Sequence, residues 1–464
     1  MSTTLVNEAR ELPSSSGEVG PLEDKYMRDE NYRAVADGSR ITRTHYHIAA
    51  ANFLGWGFDG MDGMITFLVT PMIIKDFALT VPEYRTGLQI SLFFGIAGLY
   101  VWPWLADRYG RRSLLAINIA LFSLLMPVAA LSPTFTVFVI ARCVIVFALN
   151  GEFALGGMLV AETWPARLRG RILSINRAAA CLGLSLAGAL TALVAATWGW
   201  RVAMMVPGIV ALLAIYVRAT CPESPYWVRT QDRKTRVRDA LSRGQAVSDE
   251  DKAWFLKADK VGIRQVLMPD TLPKILVATF IACGASCIWG TVGAWMPLYL
   301  STEKHWSTAE YGTFYIFWGL MGFCGQTFAG WLADRIGRRV AFLVMLLQGA
   351  IFLTAWIYSE STLWLWIFGL GWGFGLLGVW APSVVLTAEI FPTRIRGVAN
   401  GVVWAIGFLV GFVLWPFATV ALQQATGSFT LAFLCVPGFM LVMALGVWFW
   451  VPELAGKELD EIGV

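Results

Sequence analysis

Asp59 and Asp62 stand three residues apart in GWGFDGMDGMITFLV, residues 55–69, a run whose other members are apolar or small. An ionised side chain at the middle of a bilayer costs about 2.5–3.5 kcal/mol on insertion scales, so carboxylates in such a run need a cation or a proton. A spacing of three puts the two on one face of a helix. Arg142, Glu152 and Arg177 interrupt apolar stretches in the same way. A guanidinium keeps its proton, so its approach stabilises a nearby carboxylate anion and its withdrawal releases that hold. A carboxylate and an arginine on moving helices can therefore change proton affinity with geometry.

The elements that carry these charges are long and apolar. Of 464 residues, 57% are hydrophobic and only 15% charged, with 22 Trp and 29 Phe and a mean hydropathy of +0.60. That is too little charge to clothe a water-exposed surface. A helix needs about 20 apolar residues to cross roughly 30 Å of hydrocarbon. Stretches of that kind fall at 46–74, 87–106, 113–131, 135–161, 171–196, 201–219, 274–300, 311–332, 340–358, 362–387, 397–421 and 428–451. The sequence predicts an all-α membrane protein with twelve transmembrane helices. Residues 1–45 are expected as a flexible N-terminal tail, 46–219 as one six-helix bundle, 220–273 as a polar linker, 274–451 as a second bundle and 452–464 as a C-terminal tail.

Basic loops stay on the cytoplasmic side. Of the 36 Lys and Arg residues, Lys75, Arg85, Arg201 and Lys304 fall on one side and Arg142 and Arg177 within the membrane, and the rest share the side of the termini and linker. Both termini are therefore expected in the cytoplasm of a cell whose plasma (inner) membrane holds the chain. Counting from Tyr46 at 1.5 Å per residue, Asp59 is about 20 Å deep and Asp62 about 24 Å. Arg142 lies roughly 10 Å below the opposite surface, at the depth of Asp62.

An internal repeat relates the halves. WLADRYGRR at 104–112 returns as WLADRIGRR at 331–339, and AETWPARLRG at 161–170 returns as AEIFPTRIRG at 388–397, both at an offset of 227 residues. Two motifs in one register over a six-helix unit mark a parallel repeat with a site between the halves. The pattern G-x-L-A-D-R-x-G-R-R, present as GWLADRIGRR and, with Pro103 for the Gly, as PWLADRYGRR, resembles the major facilitator superfamily over residues 46–455. D-G-x-D at Asp59–Asp62, NGEF at 150–153 where the relatives often carry G-G-E-W, and PESPYWV at 222–228 are similar to the organic-anion proton symporters of that superfamily: the sialate, monocarboxylate, aromatic-acid and nicotinate groups.

The resemblance implies two six-helix bundles related by a pseudo-two-fold axis. It implies secondary active transport by alternating access: proton-coupled symport, in the direction of uptake, of a small organic anion such as a mono- or aromatic carboxylate. The alternatives are a facilitated transporter or antiporter of another small solute, or a transporter-like receptor without net flux. It further implies Asp62 as a coupling carboxylate and Arg142 as its partner, with Asp59 and Glu152 as further proton-handling groups. Glu152 and Arg177 either pair as a structural lock, or Arg177 faces the central cavity and holds the anion, a role open to Arg142 as well.

The repeated loops read as conformational latches. Asp107, Arg108 and Arg111 in one half and Asp334, Arg335 and Arg338 in the other can pair with Glu162, Arg169, Glu389, Arg396 or helix termini, closing the cytoplasmic side. The bland alternative is a topology signal alone. At the 227 offset Asp59, Asp62, Arg142 and Glu152 correspond to Ser286, Trp289, Gly369 and Val379, so the second half carries no charge within its spans. Its candidates for substrate contact are Trp289, Tyr315, Trp318 and Gln326, then Trp372, Trp380, Asn400 and Trp404, although packing alone accounts for many a mid-span Trp. Gly- and Pro-bearing spans seven and ten are the expected gate helices.

No enzyme signature is present. His45, His47 and His305 form no zinc motif, no P-loop exists, and the seven cysteines form no C-x-x-C pair and read as small core residues. Neither metal nor cofactor is expected. The implied partners are the organic anion, protons and the lipid bilayer, with a proton gradient as the energy source, no nucleic acid, and a monomer as the working unit.

Overall fold

The computed structural model describes residues 20–36, 41–258, 271–391 and 396–451. Twelve membrane-length helical units follow one another among the described residues. They begin with Arg43–Leu68 plus Thr70–Asp76, Val81–Tyr109, Arg111–Ala130, Phe135–Thr163, Ala166–Trp198 and Trp200–Thr220. They continue with Leu272–Thr302, Thr308–Ile336, Arg338–Ile357, Thr362–Glu389, Arg396–Thr426 and Thr430–Trp450. Ten pass a test of length and apolarity, and the first span passes as a pair of helices bent by 49° at Val69, next to Pro71. Thr308–Ile336, with 29 residues, completes the set. A helix satisfies every backbone group internally, which is why apolar segments of this length fold so in hydrocarbon.

Three spans are interrupted by π turns, at Leu190–Ala195 in span five, Trp289–Gly293 in span seven and Leu409–Leu414 in span eleven. The turn in span seven falls on the glycine-bearing WGTVG segment. Span ten, the other Gly- and Pro-bearing span, has no such turn: Thr362–Glu389 runs as one helix through Pro382. Its glycines serve close packing instead. A Cβ at Gly373 would meet the Trp318 ring at 2.3 Å and one at Gly375 the Gln348 amide oxygen at 2.1 Å. Small residues let helices approach without bending either.

Residues 20–36, within the expected flexible tail, are folded. Helices Pro21–Tyr26 and Glu30–Ala36 lie against the linker helix Pro225–Ser242. Asp232 accepts hydrogen bonds from Leu22 N at 3.0 Å and Glu23 N at 2.8 Å, Arg229 pairs with Glu23 at 3.0 Å, and Tyr32, Trp227 and Val228 form a separate small core. Composition hid this, because the segment is polar overall and its few apolar residues find their partners about 200 positions away.

Both repeated loops turn on a glycine. Gly110 and Gly337 have φ/ψ of 96/154° and 97/154°, a region that side chains other than glycine's scarcely enter. Glu223 caps the helix after the first turn, accepting from Arg111 N at 2.7 Å, Arg112 N at 3.2 Å and Ser224 N at 3.0 Å. Burial pushes its carboxyl above the usual glutamate range, and those three N–H groups pull the other way.

The halves are tied on the side opposite the termini. Gln89 Nε2 donates to the Phe412 carbonyl at 2.9 Å, and the Arg85 guanidinium sits 4.4 Å over the Phe417 ring. Phe412 lies within a π turn, whose i→i+5 pattern leaves carbonyls available to outside donors. Residues Ala294–Thr302 pack on both helices of span one.

Candidate functional site

Span one meets span five at close range: a Cβ on Gly183 would fall 1.8 Å from the Gly57 carbonyl oxygen. Asp59 and Arg177, one from each of these spans, line the same cavity. One helix turn away, Asp62 Oδ1 stands 3.7 Å from Arg142 Nη1, with side chains only 1% and 4% exposed. This is an ion pair beyond hydrogen-bond length, and neither Asp62 oxygen has a hydrogen bond among the described residues. Arg142 Nη1 instead reaches Met126 Sδ at 3.5 Å. Glu152 is buried against Gly55, where a Cβ would meet its Oε1 at 1.8 Å, and its Oε2 has no hydrogen bond among the described residues. The charges that act on Glu152 are those of Asp59 and Asp62.

A cavity of about 300 Å³ lies between the halves. From the first half it is lined by Asp59, Arg142 and Arg177 together with Trp56, Phe67, Asn150 and Cys181. The second half supplies Trp289, Gln326, Leu377, Trp380, Phe408 and Phe412. The Arg177 guanidinium faces the rings of Trp56 at 5.5 Å and Trp380 at 5.8 Å, one from each half. Gln326 Nε2 donates to Cys181 Sγ at 3.3 Å, a second link between the halves.

Several residues expected to reach a substrate stand behind this wall. Trp318 packs on Trp289, Tyr315 and Trp372 at centroid distances of 5.9, 5.3 and 5.0 Å, and all but Trp289 are fully buried. Trp404 stacks behind Trp380 at 5.4 Å and donates to Thr387 Oγ1 at 3.1 Å. Asn400 is off the wall, its Oδ1 buried without a hydrogen bond among the described residues. Tyr315, Trp318, Trp372 and Trp404 are thus corrected from lining to support, and Asn400 is removed from the lining. Trp56, Phe67, Asn150, Cys181, Phe408 and Phe412 were missed, although the spacing of Trp56 from Asp59 already puts the two on one face.

In the first repeated loop Arg111 joins Asp107 at 2.7 Å and Glu162 at 3.1 Å, all within its own half. Trp227 Nε1 and Gln231 Nε2 donate to the Asp107 carbonyl at 2.9 and 2.6 Å, and Arg112 reaches Asp29 at 3.3 Å and the Arg218 carbonyl. Arg108 is exposed beside Tyr109, and Arg335 lies 4.4 Å over Trp331. Neither has a latch partner among the described residues. The side chains of Arg169, Asp334, Glu389 and Arg396 lie outside the described residues. No group of three or more His, Cys, Asp or Glu suited to a metal occurs among the described residues.

The family model for the Major Facilitator Superfamily matches residues 52–414 and 278–462. The chain belongs to the major facilitator superfamily. Superfamily membership makes it a multi-pass membrane transporter and not an enzyme. It is 26% identical to the niacin transporter of Acinetobacter baylyi, over 91% of this chain and 98% of that protein. It is 23% identical to the sialic acid transporter of Escherichia coli, over 86% and 93%. In fold it is similar to the inward-open xylose transporter of E. coli, with a TM-score of 0.69 and 22% identity over 90% of this chain and 99% of that one. This superfamily fold is the arrangement that sets the Asp62–Arg142 pair, with Asp59 and Arg177, in one bundle against the aromatic wall of the other.

Proposed function

We propose that the protein takes up a small organic anion with an apolar, ring-sized body, together with protons, from the side opposite its termini. The observation that carries this reading is Arg177 at the cavity wall between Trp56 and Trp380. A guanidinium offers a planar fork to a carboxylate, and the two indoles offer flat apolar faces from opposite halves, so a bound anion draws the halves together. A volume of about 300 Å³ stands at the small end of ligand pockets and suits a single ring. The relatives' cargoes, niacin and sialic acid, share a carboxylate.

Protons enter through Asp59 and Asp62. One proton accompanies one anion: on Asp59 it leaves the Arg177 charge to the substrate's carboxylate, and on Asp62 it leaves that of Arg142, 3.7 Å away, so the anion takes the place of the neutralised carboxylate and no buried cation is stranded. The contacts of Gln89 and Arg85 with span eleven hold the outer side shut, which corresponds to an inward-facing state with the termini in the cytoplasm. In the opposite state Asp107, Arg111 and Glu162, with Arg169, Asp334, Arg338, Glu389 and Arg396, exchange partners across the halves.

The test is uptake into proteoliposomes of the purified protein with an imposed pH gradient, acid outside, across a panel of mono- and aromatic carboxylates. Accumulation that a protonophore abolishes is expected. Uptake of a carboxylate that stops at equilibration and ignores the protonophore makes the protein a facilitated transporter. Tight binding with no flux makes it a receptor.

A further inference from the structure

Arg177 and Cys181 are four residues apart on span five and so share one face, about 6 Å along the axis. Both line the cavity, and the Cys181 thiol holds the amide of Gln326 from span eight. Where span five meets span eight the wall therefore offers two polar groups, anchored at positions one helical turn apart: a guanidinium, and an amide kept in position by sulfur. Around them the wall is apolar, with Leu184, Leu377 and Trp289 beside them.

An amide carries one carbonyl acceptor and two N–H donors. Gln326 uses one N–H on Cys181, and a thiol sulfur is a weak acceptor that a ligand oxygen readily replaces. A ligand that fills the cavity strips water from this amide. If the ligand offers nothing in return, the amide is left unsatisfied in an apolar surround, and affinity falls. One helical turn is also the length of a benzene ring with substituents at opposite ends.

We propose that Gln326, held by Cys181, is a specificity-determining residue that reads a hydrogen-bonding group at the end of the substrate remote from its carboxylate. The cavity then selects ring acids bearing a hydroxyl opposite the carboxylate over unsubstituted and alkylated ones. The proposal rests on the reading of Arg177 as the carboxylate's partner. It adds the second end of the molecule, which the charges alone leave open.

The experiment is equilibrium binding of benzoate, 4-hydroxybenzoate and 4-methylbenzoate to the purified full-length protein at mildly acidic pH. The hydroxyl and methyl compounds have nearly the same shape and differ in hydrogen bonding. Wild-type protein is expected to bind the hydroxy acid about tenfold more tightly than the methyl acid. Gln326→Leu, close in size and apolar, is expected to bring the ratio to within about twofold by weakening one and tightening the other. Equal binding of the three acids by wild type overturns the role of Gln326 and leaves the carboxylate reading standing, and so does a parallel loss of all three in Gln326→Leu. Absence of binding by any acid overturns both. Should Gln326→Leu fail to fold, the wild-type ranking alone decides.

Discussion

The turns after spans two and eight agree to within a degree, φ/ψ 96/154° at Gly110 and 97/154° at Gly337, while the interiors of the two halves differ in every charge. Five charged positions of the first half, Asp59, Asp62, Arg142, Glu152 and Arg177, correspond at the 227 offset to Ser286, Trp289, Gly369, Val379 and Trp404. Two of the five charges are answered by an indole, and both indoles belong to the aromatic layer around the cavity: Trp289 on its surface and Trp404 supporting Trp380. The repeat keeps the parts that shape a loop at the membrane surface and departs where side chains meet the cavity. A symmetric scaffold can thus hold unlike interiors, and the proposed function uses the difference by giving protons to one bundle and the ligand's apolar body to the other.

The sharpest way to break this comparison is to neutralise a charge on one side and to change, on the other, a position that answers a charge. Asp62→Asn keeps the shape and removes the titration, so protonophore-sensitive accumulation in proteoliposomes should fall to background while counterflow persists. Ser286→Ala, at the position equivalent to Asp59, should stay within about twofold of wild type. Concentrative uptake by Asp62→Asn would end the division of labour.

Next in size is Arg177→Lys. Replacing a fork by a point charge should weaken carboxylate binding on the order of tenfold to a hundredfold, the worth of a charged hydrogen bond, and titration calorimetry reads it directly. Trp404→Leu, its counterpart, should cost far less, because Trp404 supports Trp380 from behind. Equal losses would place the cation and the indole in one role.

The shared turns sharpen the other side of the comparison. Gly110→Ala and Gly337→Ala should each lose about 1–3 kcal/mol in thermal or denaturant unfolding, because their backbone region is close to exclusive to glycine. At Gly110 the new Cβ would also lie 2.3 Å from Glu223 Oε2, so the Glu223 cap should be displaced as well.

The smallest effect concerns Glu223. Its carboxyl is raised in the folded state by burial, so the folded protein holds a proton that the unfolded chain gives up. The stability this contributes is full below the ordinary glutamate value and is lost as pH rises through the raised one. Glu223→Gln should flatten that stretch of a plot of melting temperature against pH. An unchanged slope would show that the three backbone N–H groups cancel the burial.

Much of the site was legible from spacing. Asp59 and Asp62 share a helix face, and the depths of Asp62 and Arg142 were counted to agree, because an apolar helix has a fixed rise and a bilayer a fixed thickness. The aromatic wall was legible only as a set of candidates. Trp289 and Trp380 face the cavity while Trp318 and Trp372 pack behind it, and in a span that is apolar all round no periodicity separates the two faces. Nor did spacing reveal which glycine-rich span would break, because a missing Cβ serves a bend and a close approach equally well.

By itself the sequence determined the twelve helices, the division into two halves and the register of the repeat, all of which follow from local composition and a constant helical rise. Only the tertiary structure decided which indoles touch the cavity, that Cys181 holds Gln326, that Arg177 stands between Trp56 and Trp380, and that residues 20–36 fold onto a linker helix some 200 positions away. Those facts depend on which helix packs beside which, and a single chain's pattern marks the face a residue occupies without naming the neighbour that covers it.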